Sequence, residues 1–394
     1  MSILELSIHD VNAREDPAGF FGKLRDEQPV AWIPSWNGWV VSGYDEVLLA
    51  LRERELSSER LPSLPAGEDA ARVLALIERW IVFMDPPDHT RLRGLVAKAF
   101  TPRAIGAVAA TMPGTVSELL DAWTPGEPVD VIKTLAFPFP ARVISTMLEV
   151  PAADIDRFGD LSDDVAELIH AGRQDPTVMI ESFLELDGYL RQHIDAKRRN
   201  PTEGLISQLI AVEEEGDVLS TDELIATCVM LLFAGHETTK NLIGNTIYLL
   251  GEQPQIFEAL RADSSRFGDA VEEFLRLEGP AKATIRNVGP AGAELAGQTL
   301  LAGQRLLLQF AAANRDPAVF DDPDRFRLDR GKNPHLGFGH GIHYCLGAAI
   351  VRAELRVVLA ELCARFEAIE IAGAVQWQDR MLNRGLDELT VVPR

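Results

Sequence analysis

Cys345 stands at the end of a glycine-rich loop, Phe338-Gly339-His340-Gly341-Ile342-His343-Tyr344-Cys345-Leu346-Gly347, with a helical pattern directly after it. A thiol at a helix N-terminus has its anion stabilised by free backbone N–H groups and by the positive end of the dipole. The thiolate is the form that binds a soft metal or attacks an electrophile. Gly339, Gly341 and Gly347 allow the backbone to come close to a flat, bulky partner. The combination reads as a cradle for a haem whose iron takes sulfur as an axial ligand. Most lone cysteines are small buried hydrophobes, and Cys228 and Cys363, set in apolar helical patterns, read that way.

A second cluster, Ala234-Gly235-His236-Glu237-Thr238-Thr239, interrupts a long helical pattern. A glycine inside a helix costs about 1 kcal/mol relative to alanine, and an acid with two threonines adds no helix propensity. Packing alone does not ask for this cluster. A groove over a cofactor would: Gly235 removes a side chain and leaves room for a bound diatomic, Thr238 offers a hydroxyl, and Glu237 a carboxyl.

The elements that must position these groups can be read from their punctuation. The long helix opens at Ser220-Thr221-Asp222-Glu223, a capping box, runs to Leu250 and stops at Gly251 with Pro254 just beyond. About 30 residues make it on the order of 45 Å long. Another helix covers Asp88 to Ala99, closed by Thr101-Pro102, and one covers Val178 to Arg199, closed by Asn200-Pro201. Val30–Ile33 and Trp39–Val41 flank Trp36-Asn37-Gly38, a hairpin signal. Strand patterns return at Thr299–Leu301 and Leu306–Phe310, joined through Ala302-Gly303. A last helix follows Gly347 up to Phe366, and Leu389–Val392 reads as a strand. The sum is mainly α with a minor β region.

The chain has 394 residues, of which 46% are hydrophobic, enough for a large buried core. Its formal charge of −22 discourages nucleic acid or an anionic membrane as a partner. Three cysteines without paired spacing argue against a disulfide framework and suit a reducing cytoplasm. Residues Met1 to Pro17 carry neither a basic start nor an apolar run of signal-peptide length, and the longest apolar stretch, Leu224 to Gly235, is too short to span a bilayer. The expectation is a soluble cytoplasmic protein without a membrane anchor. One stretch is locally basic: His89 to Arg103 holds Arg91, Arg93, Lys98 and Arg103 and no acid.

The Cys345 loop resembles the haem-binding loop of the cytochrome P450 superfamily, Phe-x-x-Gly-x-His-x-Cys-x-Gly, at Phe338, Gly341, His343, Cys345 and Gly347. The segment 234–238 is similar to that superfamily's oxygen-activation motif, and Glu273-Phe274-Leu275-Arg276 to its Glu-x-x-Arg helix, with Arg325 at the position of the downstream arginine that the pair engages. Trp39-Val40-Val41, Leu56-Ser57-Ser58, and Ala313-Asn314-Arg315-Asp316-Pro317 with Phe320 also look like bacterial members. The resemblance implies one cytochrome P450 domain over 1–394, with a β-rich edge from 1–45, 283–310 and 370–394 and a helical core at 45–282 and 347–366. Haem b (iron protoporphyrin IX) would lie between the long helix and the Cys-loop with the last helix.

By position in the family pattern, Cys345 is the iron ligand, and His89, Arg93, Arg286 and His343 are the partners of the haem propionates. Glu237 and Thr238 would deliver protons to bound dioxygen. His236 and His340 have no ligand role. Substrate-lining positions fall at Phe233, Ala234, Ala283, Ile285 and Leu382, within walls drawn from 61–82, 160–183, 233–234, 281–285 and 381–382. Lys282 is either a solvated lysine or a contact for an acidic substrate.

The implied activity is a monooxygenase that hydroxylates or epoxidises an apolar small molecule, in secondary metabolism or xenobiotic oxidation. It would be a monomer drawing electrons from a separate ferredoxin and ferredoxin reductase. The 89–103 segment, with Arg352 and Arg356, offers a docking face for an acidic donor. Two alternatives are a peroxygenase driven by hydrogen peroxide, against which the Glu237-Thr238 pair speaks, and a non-catalytic domain that recruits a carrier protein. Hydrolysis by Cys345 with His343 is disfavoured by their spacing in a loop.

Overall fold

Asn37 takes a left-handed backbone (φ 52°) in the computed structural model, and this turn folds Val30–Ile33 back on Gly38–Val41. The structure describes residues 15–170, 175–214 and 219–394, together with 8, 10 and 13. The segment read for a signal peptide and the wall at 160–183 therefore lie partly outside the described residues.

The chain forms two compact units, one from 1–58, 119–136 and 240–394, the other from 59–118 and 137–239. The first unit carries the strands β1 (Val30–Ile33), β2 (Gly38–Val41), β3 (Leu56–Ser57), β4 (Val129–Asp130), β5 (Ala283–Val288), β6 (Ala293–Leu295), β7 (Gln298–Leu300) and β8 (Arg305–Gln309). A five-stranded sheet has the order β1-β2-β8-β5-β3, with β2 and β8 parallel and the other pairs antiparallel. Leu306, Leu307 and Leu308 form an unbroken apolar run because β8 is central and buried on both faces. Leu306 and Leu308 join Val30, Val41, Val47 and Phe320, whereas Leu307 joins Phe20, Phe21, Ala31 and Val40. The strand read at 299–301 lies one residue earlier and pairs with β6, so Ala302-Gly303 links two sheets. The helix Phe267–Glu278 packs on the last helix, Ala348–Arg365.

The long helix spans Thr221–Glu252. Its capping box is reciprocal: the Glu223 N–H donates to Ser220 Oγ (3.2 Å) and the Ser220 N–H to Glu223 Oε2 (2.7 Å). The helix continues past Gly251, contrary to the reading of that glycine as a stop. A Cβ there would lie 2.7 Å from Ile371 Cγ1, so this glycine serves close packing against the Ile369–Ile371 strand.

In the second unit, Pro176–Arg199 starts two residues earlier than the periodicity indicates. Asp175 caps it by accepting from the Thr177 N–H (2.9 Å), and Pro176 fills the first helical position, where no donor is needed. Thr101-Pro102 ends one helix and also begins the next, Pro102–Ala109, with Thr101 Oγ1 accepting from the Ala104 N–H (3.1 Å). Among the described residues no helix is long and apolar enough to cross a membrane.

Candidate active site

In the first unit the Cys345 loop is closed by its own backbone. The Cys345 N–H donates to Phe338 O (2.9 Å), the Tyr344 N–H to Gly341 O (3.1 Å) and the Gly339 N–H to Leu336 O (2.9 Å). Gly339 and Gly341 have φ of 68° and 70°, the left-handed region that favours glycine, and a Cβ at Gly341 would lie 3.1 Å from Leu51 O. The last helix begins at Ala348, so Cys345 precedes its first turn rather than lying in it. Its side chain is half-buried.

Gly347 has an ordinary φ of −84°, and a Cβ built on it would meet no atom within 4 Å. Neither strain nor a neighbour accounts for this glycine, but a flat group lying against the loop would. Among the described residues no three His, Cys, Asp or Glu side chains gather into a metal-binding set. A single cysteine in a loop whose Gly347 has open space at its flank suits an iron with equatorial ligands from a macrocycle. The residues present thus fit a haem.

His343 Nε2 is 2.9 Å from Ser58 Oγ. Ser58 follows β3, whose Ser57 is paired with Asn287, so the ladder brings Ser58 to the level of Arg286 on β5. Arg286 is buried, with Nη1 donating to Ile285 O (2.9 Å) and Thr284 Oγ1 (3.3 Å). The sheet therefore links two of the expected propionate partners through a serine that sequence reasoning noticed but did not assign. Ala283 and Leu382 are buried in the core cluster with Phe20 and Phe21, and Ile285 packs at its edge. Lys282 is buried (3% exposed), so it is not a solvated lysine. His340 accepts from Arg52 Nε (3.0 Å); burial and then the Arg52 charge push its pKa down.

Glu273 and Arg276 are 1% exposed and joined by two hydrogen bonds, Nε to Oε1 (2.7 Å) and Nη2 to Oε2 (2.9 Å). The third member differs from the expectation. Arg325 contributes its carbonyl to Arg276 Nη2 (3.0 Å), while Arg330 Nε donates to Glu273 Oε1 (2.7 Å). Asn333 and the Arg327 N–H complete the shell of Glu273. No spacing signal marked Arg330, which reaches the pair because its loop folds back over Asp321 and Arg325.

In the second unit the 233–239 cluster shows two faces of the long helix. His236, Glu237 and Thr239 are buried, while Ala234 is exposed and Phe233, Gly235 and Thr238 are half-buried. His236 packs edge-on against Phe137 (4.6 Å) with Nε2 3.3 Å from Phe137 O. Gly235 does not create the expected free space. A Cβ there would lie 3.2 Å from Ile144 Cδ1, so the helix Pro138–Met147 occupies its flank. The open strip comes from Ala234 and Thr238, four residues apart on one face. Thr238 Oγ1 donates to Ala234 O (2.7 Å).

Trp80, which lies within the expected 61–82 wall but carries no individual signal in the sequence, stacks on Phe83, Phe183 and Phe233 with centroids 6.0, 6.2 and 5.6 Å away. On the helix Asp88–Ala99, His89 is 1% exposed and Arg93 lies one turn on. Burial, reinforced by the Arg93 charge, lowers the His89 pKa and keeps the ring neutral. Of the basic stretch, Arg91 pairs with Glu223 and Arg103 with Glu203 (3.0 Å). In the first unit Arg352 pairs with Glu272 (2.7 Å), while Arg356 is exposed.

Residues 185–379 match the family model described as Cytochrome P450. The chain is 33% identical to the Biotin biosynthesis cytochrome P450 of Bacillus subtilis (strain 168), over 96% of each chain. It is 35% identical to Cytochrome P450 monooxygenase PikC of Streptomyces venezuelae, over 99% of this chain and 94% of that one. Among solved structures, P450BioI in complex with an acyl carrier protein ligated to hexadec-9Z-enoic acid superposes with a TM-score of 0.89 at 32% identity, covering 96% of this chain and 99% of that one. Both the fold and the sequence place the chain in the cytochrome P450 family.

Proposed function

We propose that this P450 is a haem b monooxygenase that inserts one atom of dioxygen into a C–H or C=C bond of an apolar small molecule, the other atom leaving as water. The observation that carries the reading is the half-buried thiol of Cys345 on a backbone-closed loop beside the open flank of Gly347. Bound haem would supply the oxygen chemistry, with thiolate donation favouring O–O cleavage.

Cys345 Sγ would be the iron ligand. His343, oriented by Ser58, and Arg286 would partner propionates, as would Arg93 and neutral His89 as an N–H donor. On the long helix Thr238 Oγ1, whose own hydrogen is donated to Ala234 O, would accept a hydrogen bond and hold a proton donor in place at the strip, and the buried carboxyl of Glu237 would be the source from which that donor is reprotonated. The apolar stack of Trp80, Phe83, Phe183 and Phe233 supports an apolar substrate and the exclusion of bulk water. Phe233, Ala234, Ala283, Ile285 and Leu382 would line the substrate site.

A ferredoxin with its reductase would deliver the electrons to a cytoplasmic, monomeric enzyme. Because Arg91 and Arg103 are already paired with glutamates, each would bring less of its charge to an acidic donor than the sequence alone suggests. The P450BioI relative, seen with a fatty acyl chain on a carrier protein, leaves a carrier-bound substrate as a second form of the same reading.

The decisive measurement is the absorption spectrum of the reduced protein under carbon monoxide. A thiolate-ligated haem gives a strongly red-shifted Soret band. Its absence in folded protein, or its persistence in Cys345→Ala, overturns the assignment. Turnover with hydrogen peroxide alone, undiminished in Thr238→Ala, would favour the peroxygenase.

A further inference from the structure

The hydrogen bond that closes the Cys345 loop joins residues 345 and 338, and one side chain grips both flanks of that closure. Arg352, one turn into the last helix, lies with its guanidinium carbon 4.5 Å from the centre of the Phe338 ring, and its Nη1 is 3.3 Å from the Tyr344 hydroxyl. The guanidinium is held from a second side. Glu272, on the helix Phe267–Glu278, takes Nε at 2.7 Å and Nη2 at 2.9 Å in a fork. Glu272 also engages His335 Nε2 (3.0 Å), and His335 Nδ1 accepts the Gly337 N–H (3.1 Å), so the same carboxylate braces the loop's entry. All of these groups lie in the first unit.

We propose that Arg352 is a positioning residue. By covering the Phe338 ring and holding the Tyr344 hydroxyl, it fixes the backbone that aims the Cys345 sulfur, while Glu272 fixes Arg352. The inference rests on the reading of Cys345 as iron ligand, and it assigns Arg352 a task other than offering free charge to a partner. Its fork, its ring contact and its hydroxyl contact leave little of that charge uncommitted. A lysine would keep the charge but lose the planar fork and most of the stacking.

The test uses the haem-loaded protein and two readouts: amide hydrogen exchange over residues 336–347, and the fraction of reduced haem that shows the red-shifted Soret band under carbon monoxide. Arg352→Ala is expected to speed exchange of the loop about tenfold, the equivalent of about 1.4 kcal/mol. Exchange within Leu355–Leu362 should stay unchanged, and part of the haem should lose the red-shifted band. Arg352→Lys should fall between Arg352→Ala and wild type. Arg365→Ala on the same helix, where Arg365 pairs with Asp121 and Glu361, is the control and should change neither readout. Loop exchange at the wild-type rate, or equal acceleration through both helices, would overturn the proposal. If Arg352→Ala fails to fold, Arg352→Lys carries the test, and wild-type behaviour in both readouts overturns it. A wild-type protein that itself lacks the red-shifted band would instead refute the ligand role of Cys345, with the exchange arm still reporting on the clasp.

Discussion

The Cys345 loop and the strip around Ala234 are held in opposite ways. The loop is fixed by directional contacts: three backbone hydrogen bonds, two left-handed glycines and the Glu272–Arg352 fork. The strip is bounded by stacked rings, a packed isoleucine and a threonine that satisfies itself within its own helix. Directional bonds tolerate one geometry, whereas apolar contacts can be re-cut by exchanging a side chain of similar volume. The difference teaches where variation is cheap. A family that keeps one chemistry and changes its substrates would hold the first kind of region and vary the second.

The contrast is broken most severely at Glu273. Glu273→Ala leaves Arg276 and Arg330 without their carboxylate, and removing one partner of a buried ion pair costs about 3–5 kcal/mol. Chemical denaturation should show that loss, and a value under about 1 kcal/mol would mean that water replaces the carboxylate. Trp80→Ala should cost about 3 kcal/mol for the cavity left among the rings. It should leave the carbon monoxide spectrum intact while widening the range of compounds that perturb the haem; an unchanged range would detach the stack from substrate choice. Thr238→Ala should lower product formed per electron consumed by about a hundredfold, with stability nearly unchanged. Product yield equal to wild type would remove Thr238 from proton delivery.

The smallest effect is acid sensitivity of the loop. Burial opposes the Glu272 charge, but the hydrogen bonds and charges of Arg352 and His335 outweigh it and hold its pKa at about 2, below the ordinary 4.5. A carboxyl with a lowered folded pKa stabilises fully above its unfolded pKa, and that contribution drains away as pH falls from about 4.5 toward 2. Denaturation midpoints at pH 5 and pH 3 should therefore differ more in wild type than in Glu272→Gln. Equal differences would show that the fork contributes nothing to folding.

Legibility followed the range of the signal. Capping and turn chemistry is local, so the start of the long helix at Ser220–Glu223 and the hairpin at Asn37 could be read from adjacent residues. The Cys345 loop was legible because its glycines and cysteine sit within ten consecutive positions. Arg330 was not, because it meets Glu273 across 57 residues of chain with no periodicity to announce it. Ser58 and Trp80 acquire meaning only from a strand register and from ring stacking, which depend on tertiary placement. Gly235 and Gly251 were misread for a related reason: the neighbours that explain them, Ile144 and Ile371, are far away in sequence.

The short bond from Thr238 Oγ1 to Ala234 O also bears on the search for inhibitors. A hydroxyl has one hydrogen, and here the helix already holds it, so a molecule lying along the strip meets lone pairs. Compounds that present an O–H or N–H to that position gain a contact at no cost to the helix, while those that present a carbonyl must first prise the threonine loose. A screen matched for size and lipophilicity should therefore sort by donor count before it sorts by shape.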